Sequence, residues 1–184
     1  MTGTASPFSV RLTLTPKTAL AGLLDGAWWP RSRDLAAELP SLADALDARF
    51  GRITRLTASP TCWLEVPPRI SVADGRAVQL GWFTEQDSDT MILFSYAVGR
   101  CDLLVIPPET EAAAAQRLMA AAALPGNVRA VATLMADEAA TGRRIRDARS
   151  RDDSGESEGA TASAPAGHPV VGARMIPLPW NMRR

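Results

Sequence analysis

The chain has 184 residues, of which 46% are hydrophobic and 22% are charged, which is enough for one ordinary domain with its own core. Its 20 basic and 20 acidic side chains cancel, so the whole chain has no electrostatic preference for nucleic acid or for an anionic membrane. No apolar run approaches the roughly 18 residues that a membrane span needs, so we expect no membrane association. The first residues lack the apolar core of a secretory signal, and we therefore expect a cytoplasmic protein.

The first elements are two short strands. Residues 10–14 alternate apolar and polar side chains, which predicts a half-buried strand. A second extended stretch, 27–29, follows the turn signal Asp25-Gly26. Because a tight turn favours pairing of the strands on either side of it, we expect these two strands to pair antiparallel.

A stripe of apolar side chains at spacings of three and four residues predicts a helix that ends at Gly51. The stripe consists of Leu35, Leu39, Leu42, Leu46 and Phe50. Pro40 lies inside it, and proline removes a helical hydrogen bond and clashes with the preceding turn. We therefore expect a short first helix and a second helix that starts near Pro40.

The middle of the chain carries further strand patterns. Residues 52–58 alternate imperfectly and contain two arginines, which is typical of an edge strand. Two alternating runs within 70–82 surround Asp74-Gly75, the strongest hairpin signal in the chain. Dense apolar runs within 91–106 predict a second hairpin that supplies the central strands of a sheet.

Helices are predicted after the last strand. Residues 112–123 are rich in alanine and favour a helix strongly. A weaker apolar pattern follows Asn127 and runs into an arginine-rich stretch, 143–151. Residues 150–174 contain no Leu, Ile, Phe, Met, Trp or Tyr, so they cannot bury enough surface to offset the entropy of ordering.

These patterns predict one α+β domain at residues 8–125. We expect an antiparallel sheet of about six or seven strands with helices packed mostly on one face. Residues 126–149 are expected to form a weak helical extension. Residues 150–184 are expected to form a disordered tail that ends in a short apolar segment, 175–180, suited to docking in a groove.

Catalytic and metal-binding chemistry has few candidate residues. The only histidine, His168, lies in the expected tail, and Cys62 and Cys101 match no zinc-ligand spacing. We expect both cysteines to be small buried side chains. The sequence has neither a dinucleotide-binding glycine motif nor a phosphate-binding loop. We therefore assign no catalytic residue and expect no metal and no cofactor.

An acidic loop joins the two predicted hairpins. Glu85, Asp87 and Asp89 alternate there as in the opening of a calcium-binding loop. The glycine and the final glutamate of such a loop are missing, so a solvated loop is favoured over a cation site.

The most unusual stretch is DGAWWPRSRD, residues 25–34. Successive residues of a strand point to opposite faces, so Trp28 and Trp29 cannot both face one core layer. Pro30 favours a shared side for Trp29 and Arg31, which makes Trp29 the expected surface residue. Burial of the second indole under a loop or helix is the alternative, and it is the commoner fate of a large aromatic side chain.

Three blocks of the sequence resemble a family of uncharacterised small proteins from actinomycete-type bacteria, classed as a domain of unknown function. The blocks are GLLDGAWWPRSRD at 22–34, GWF at 81–83 and CDLLVIPPET at 101–110. The resemblance covers about residues 10–125. It implies no activity, cofactor or catalytic residue.

Two functions remain open. We favour a non-enzymatic protein-interaction module that binds an unknown protein partner through the indole surface or through the 175–180 segment. The alternative is a small-molecule-binding protein or a metal-independent enzyme with a Trp/Arg/Asp pocket. Nucleic-acid binding through the arginines of 143–151 is not expected, because acidic residues follow and no aromatic is interleaved. The residues assigned to the ligand or partner surface are Asp25, Trp28, Trp29, Arg31, Arg33, Trp82 and Asp102.

Overall fold

The computed structural model describes residues 9–17, 20–82 and 87–158, apart from the side chains of Asp74 and of residues 154–158. Within these ranges seven strands and three helices follow one another along the chain. They are β1 (Leu12–Leu14), β2 (Gly26–Trp28), α1 (Leu35–Phe50), β3 (Ile53–Ala58), β4 (Arg69–Ser71), β5 (Ala77–Gly81), β6 (Thr90–Ser95), β7 (Gly99–Val105), α2 (Ala112–Ala122) and α3 (Val131–Glu158). The strands form one sheet in the order β1-β2-β7-β6-β3-β5-β4.

The sheet is mixed, although the class is α+β as predicted. The antiparallel pairs β1 with β2, β4 with β5 and β6 with β7 confirm the predicted pairings. However, β2 pairs parallel with β7, and β3 pairs parallel with β5. The prediction of an antiparallel sheet is therefore wrong, because turn signals identify only partners that follow each other along the chain, whereas parallel partners are joined by long crossovers.

The predicted edge strand lies inside the sheet. β3 pairs with β6 on one side and with β5 on the other. Its register with β6 shifts between Ile53 and Arg55, and this irregularity brings Ile53 and Leu56 into the same buried cluster. Arg55 is exposed on the opposite face. The arginines thus mark a solvent-facing side of an interior strand and not a sheet edge.

Two buried clusters lie on opposite faces of the sheet. Leu103 of β7 belongs to the first cluster and its neighbour Leu104 to the second, as strand alternation requires. The first cluster includes the apolar stripe of α1, which contacts β3 and β4. The second cluster includes residues of α2, which contacts β1 and β2. The second cluster also includes Val131 and Leu134 of α3, so two of the three helices contribute to it and one to the first cluster.

The first helix is continuous through Pro40. α1 begins after Asp34, whose carboxylate accepts a hydrogen bond from the Ala37 amide, and it ends at Gly51 at a φ of 74°. The predicted break into two helices is wrong. Pro40 removes only the hydrogen bond to the carbonyl of Ala36, a residue on the exposed side that water can solvate. Burial of the whole leucine stripe offsets that loss.

The second cluster extends beyond residue 125, where the sequence analysis ended the domain. Val131 and Leu134 of α3 are buried in it, and the Leu23 amide donates a hydrogen bond to the Asn127 carbonyl at 2.8 Å. The chain divides into two compact units, 1–145 and 146–184. In the second unit the structure describes helix up to residue 158, inside the expected tail, while 159–184 and its apolar segment lie outside the described residues.

None of the helices in the described part of the chain combines the length and the apolar character needed to cross a membrane. α3 is long, but its second half is rich in arginine and acidic residues.

We expect Trp28→Ala to lower the free energy of unfolding by about 3 to 5 kcal/mol, the usual loss for a buried large aromatic. Trp28 is 1% exposed and stacks on Trp63 with ring centroids 5.4 Å apart. The matched control is Trp82→Ala, which removes an indole that is 52% exposed and should change stability little. Urea unfolding followed by far-ultraviolet circular dichroism measures both. Equal losses in the two variants would contradict the packing described here.

A second comparison tests the extension of the core into α3. Leu134→Ala should cost about 2 to 5 kcal/mol, because the side chain is 2% exposed within the second cluster. Val128→Ala, in the segment just before the helix, should be nearly neutral since Val128 is 75% exposed. The same urea titration reads out both variants, and a neutral Leu134→Ala would place the domain end before α3.

Candidate functional site

The residues assigned from the sequence do not meet at one place. Trp29 and Arg31 line a groove beside the start of the described chain. Arg33 lines a pocket at the ends of the central strands. Trp82 lies on the sheet face that also carries Asp102. These predicted residues therefore lie on three separate surfaces of the protein.

The two indoles face opposite clusters, as strand geometry predicts. Trp28 lies in the first cluster, and Trp29 packs against the second. The guanidinium of Arg11 lies 3.5 Å from the ring centroid of Trp29, and its Nε donates a hydrogen bond to the Trp29 carbonyl at 2.9 Å. Trp28, at 1% exposure, offers a partner no surface, and Trp29 is half-buried. The paired indoles are thus mainly structural.

Asp25 and Asp102 join two parallel strands. The Asp25 amide donates to the Asp102 carbonyl, and the Asp102 amide donates to Oδ2 of Asp25, both at 2.8 Å. The carboxylate of Asp102 in turn accepts two hydrogen bonds from Arg100, each at 2.7 Å. Asp25 therefore holds β2 against β7, and Asp102 orients an arginine on the sheet surface.

One row of side chains crosses five neighbouring strands on the face that α1 does not cover. The strand registers place opposite one another Arg100 of β7, Phe94 of β6, Arg55 of β3, Gln79 of β5 and Arg69 of β4. We call this row and the groove beside it the open face. Arg55 is distant in sequence from Phe94 and from Gln79, and neither pairing of β3 was predicted, so no local pattern indicated the complete row.

Apolar side chains border the row. Ile92 and Phe94 are half-buried, and Trp82 stands at the end of β5. Together with Arg55 and Arg100 they line a groove of about 570 Å³. The second buried cluster has no member on β3, β5 or β6, so within the described part of the chain this cluster does not extend over that face of those strands.

The charge of the open face is positive. Arg100 is paired with Asp102. Within the described ranges neither Arg55 nor Arg69 has an ion pair, and both are exposed. Two unpaired guanidinium groups beside half-buried apolar side chains form a surface suited to an anionic, partly apolar partner.

The pocket that contains Arg33 lies where β2, β3 and β7 end. These strands run in the same direction, so their carboxyl ends share one edge of the sheet. The pocket has a volume of about 210 Å³. Its lining consists of Pro30, Arg33, Thr61, Cys62, Trp63, Ser88, Asp89, Val105, Pro107 and Pro108. We call it the carboxyl-end pocket. Of the titratable residues in this pocket, only Arg33 belongs to the ligand or partner surface predicted from the sequence.

The pocket does not activate its thiol. Burial raises the pKa of Cys62, and the neighbouring charge of Asp89 raises it further, while Arg33 opposes both effects. A thiol held in its neutral form is a poor nucleophile. Cys101, by contrast, is buried in the first cluster as expected. Within the described ranges no three His, Cys, Asp or Glu side chains are grouped so as to hold a metal ion.

Comparison with known proteins gives one match. No curated protein and no solved structure shows significant similarity to the chain. A family model described as a family of unknown function, DUF5994, matches residues 11–122. The match includes every strand and the first two helices and ends before α3. The chain therefore belongs to DUF5994, a family of unknown function.

Proposed function

We propose that the protein is a non-enzymatic, cytoplasmic interaction module that binds an acidic segment of a partner protein on its open face. The row from Arg100 to Arg69 is the observation that carries the proposal. Arg55 and Arg69, which have no ion pair among the described residues, provide the charge that selects an acidic segment. Arginine and tryptophan are also the residue types that contribute most often to binding energy at protein interfaces.

The dimensions of the row favour an extended segment. Neighbouring strands lie about 4.8 Å apart, so the row from β7 to β4 spans roughly 19 Å. About six residues of extended chain cover that distance. Carboxylates of such a segment would pair with Arg55 and Arg69, and an apolar side chain on the β6 side of Arg55 would contact Phe94 and Ile92.

The open face is better matched to protein than to nucleic acid. Phosphate backbones require several cations along one path, and each neutralised phosphate adds to the affinity. Here Arg100 is already paired, and Asp102 places a carboxylate beside the row. The chain as a whole has a formal net charge of zero. Binding of an acidic peptide with apolar side chains requires only Arg55, Arg69 and the apolar groove.

The surface differs from the one proposed on sequence alone. Trp82 lines it, and Asp102 acts through Arg100. The indoles of Trp28 and Trp29 lie in or against the buried clusters. The partner surface proposed here therefore lies on the middle of the sheet and not on the DGAWWPRSRD stretch.

The proposal predicts which peptides the protein selects. We expect a random peptide library panned against the full chain to enrich segments of alternating acidic and apolar residues. Arg55→Glu should weaken these peptides roughly tenfold or more in fluorescence anisotropy, because it puts like charge at the centre of the row. The matched control is Arg52→Glu, which makes the same change of charge at an exposed residue just before β3.

The control should bind within a few-fold of the unchanged protein, and Arg55→Lys should retain most of the affinity. Both Arg55 and Arg52 are exposed, so neither variant should alter the circular dichroism spectrum. Equal loss in Arg55→Glu and Arg52→Glu would reduce the effect to net charge and overturn the proposal. Tighter binding of single-stranded oligothymidine, with a steep dependence on salt, would assign the face to nucleic acid instead.

A further inference from the structure

The carboxyl-end pocket has the position of a ligand site. Ligands of open sheets with parallel strands bind outside the carboxyl ends of those strands. Four segments of the chain meet there: 30–33 after β2, 61–63 after β3, 88–89 before β6 and 105–108 at the end of β7. Because these segments are held by strands in the middle of the sheet, the pocket is formed by the fold itself.

Half of the residues that line the pocket are apolar, and several of these are stiff. Three of the lining residues are prolines, Pro30, Pro107 and Pro108, whose rings restrict the backbone. Trp63 is fixed by its stack on Trp28. An apolar cavity of about 150 Å³ is large enough to hold benzene. A pocket of about 210 Å³ therefore accommodates a molecule with one ring or a branched alkyl group.

The positive charge at the pocket is already engaged. Arg33 Nη1 donates a hydrogen bond to the Cys62 carbonyl at 3.0 Å, and Nη2 forms an ion pair with Glu109. Glu109 does not line the pocket. Arg33 thus fixes the 61–63 segment and is neutralised from outside, so it provides no free cation for an anionic ligand.

The negative charge at the pocket is not engaged. Asp89 is half-buried, and its carboxylate has no ion pair within the described part of the chain. The Cys62 thiol donates a weak hydrogen bond to Oδ1, with Sγ 3.9 Å away. The Asp89 carbonyl accepts a hydrogen bond from the Val105 amide at 2.7 Å, which fixes the position of the residue against β7. A fixed carboxylate with no ion pair among the described residues therefore lines a pocket whose prolines, Trp63 and Val105 provide the apolar part.

We propose that the carboxyl-end pocket binds a small organic ammonium ion, whose apolar body lies against Trp63 and the prolines and whose ammonium group pairs with Asp89. The site is independent of the open face. An ammonium group gives Asp89 the charge-assisted hydrogen bonds it lacks. A neutral ligand of the same shape would leave the carboxylate desolvated and unpaired, and an anionic ligand would also be repelled.

The proposal fixes the direction of the pH dependence. The charged groups that face Asp89 are Asp87, Arg33 and, when ionised, Cys62. Burial raises the pKa of Asp89, Asp87 raises it further, and Arg33 opposes both effects. Binding of an ammonium ion is therefore strongest where Asp89 is ionised and weakens as the pH falls through the raised pKa.

The same shift predicts that Asp89→Asn stabilises the free protein at pH 7. A carboxyl whose pKa is raised by folding costs stability at pH values above that pKa, because the folded state must hold an unfavourable charge. The amide has the same shape without the charge. We expect a higher Tm for Asp89→Asn at pH 7 and no such gain at a pH below the ordinary aspartate pKa. The same Tm measurement checks that the variant is folded when its binding is measured.

The decisive experiment compares three probes that share a phenylethyl group and differ in the charge of the end group, on the full chain at pH 7. We expect 2-phenylethylamine to give saturable shifts in an NMR titration, and 2-phenylethanol and 3-phenylpropionate to bind at least roughly tenfold more weakly. Asp89→Asn should remove the preference for the amine. Asp87→Asn is the matched control, because it removes a neighbouring carboxylate that does not line the pocket and should preserve that preference.

A second variant tests the cavity itself. Thr61→Phe adds a ring at an exposed residue of the lining and should abolish binding of the amine without changing the fold. Equal affinity for the amine and the alcohol, an unchanged preference in Asp89→Asn, or a preference for the carboxylate would each overturn the proposal. So would the absence of saturable binding by all three probes.

Discussion

The parallel pairing of β2 with β7 is the constraint on which the rest of the structure depends. It places Ala27 opposite Leu104, and hydrogen bonds between Asp25 and Asp102 join the two strands just before the paired residues. Just after the paired residues the Ile106 amide donates a hydrogen bond to the Trp28 carbonyl at 2.8 Å. This pairing attaches the first two strands to the hairpin of β6 and β7. Because β7 and β6 lie between β2 and β3 in the sheet, the connection from β2 to β3 crosses those two strands and contains α1.

Both proposed surfaces follow from that arrangement. Because β2, β3 and β7 run in the same direction, their carboxyl ends meet, and the segments that leave them enclose the carboxyl-end pocket. Because α2 covers only the β1 and β2 end of the second face, the middle of the sheet is left to side chains such as Arg55 and Phe94. An exposed apolar sheet face normally favours aggregation or marks a binding surface. Here the face that α2 leaves exposed also carries positively charged arginines.

The two surfaces have opposite electrostatic character. On the open face a carboxylate, Asp102, neutralises one arginine, whereas Arg55 and Arg69 have no ion pair in the described ranges of the chain. At the pocket Glu109 neutralises Arg33 from outside, and the carboxylate of Asp89 has no ion pair within the residues that the structure describes. The proposed partner of each surface carries the charge opposite to that of the surface. In the free protein these charges without an ion pair lower the free energy of unfolding. The neutral thiol of Cys62 fits binding better than covalent chemistry.

The sequence by itself determined the features that depend on neighbours in the chain. The hairpin around Asp74-Gly75, the helix α2 and the opposite orientations of Trp28 and Trp29 follow from turn chemistry, propensity and the alternation of a strand. Only the tertiary structure decided the parallel pairs, the interior place of β3, the continuity of α1 through its proline, and the sites. The row around Arg55 and the pocket around Asp89 assemble residues from separate strands and loops, and no periodic pattern encodes which distant strands become neighbours. That choice depends on the burial of both sheet faces at once, which is a property of the whole fold.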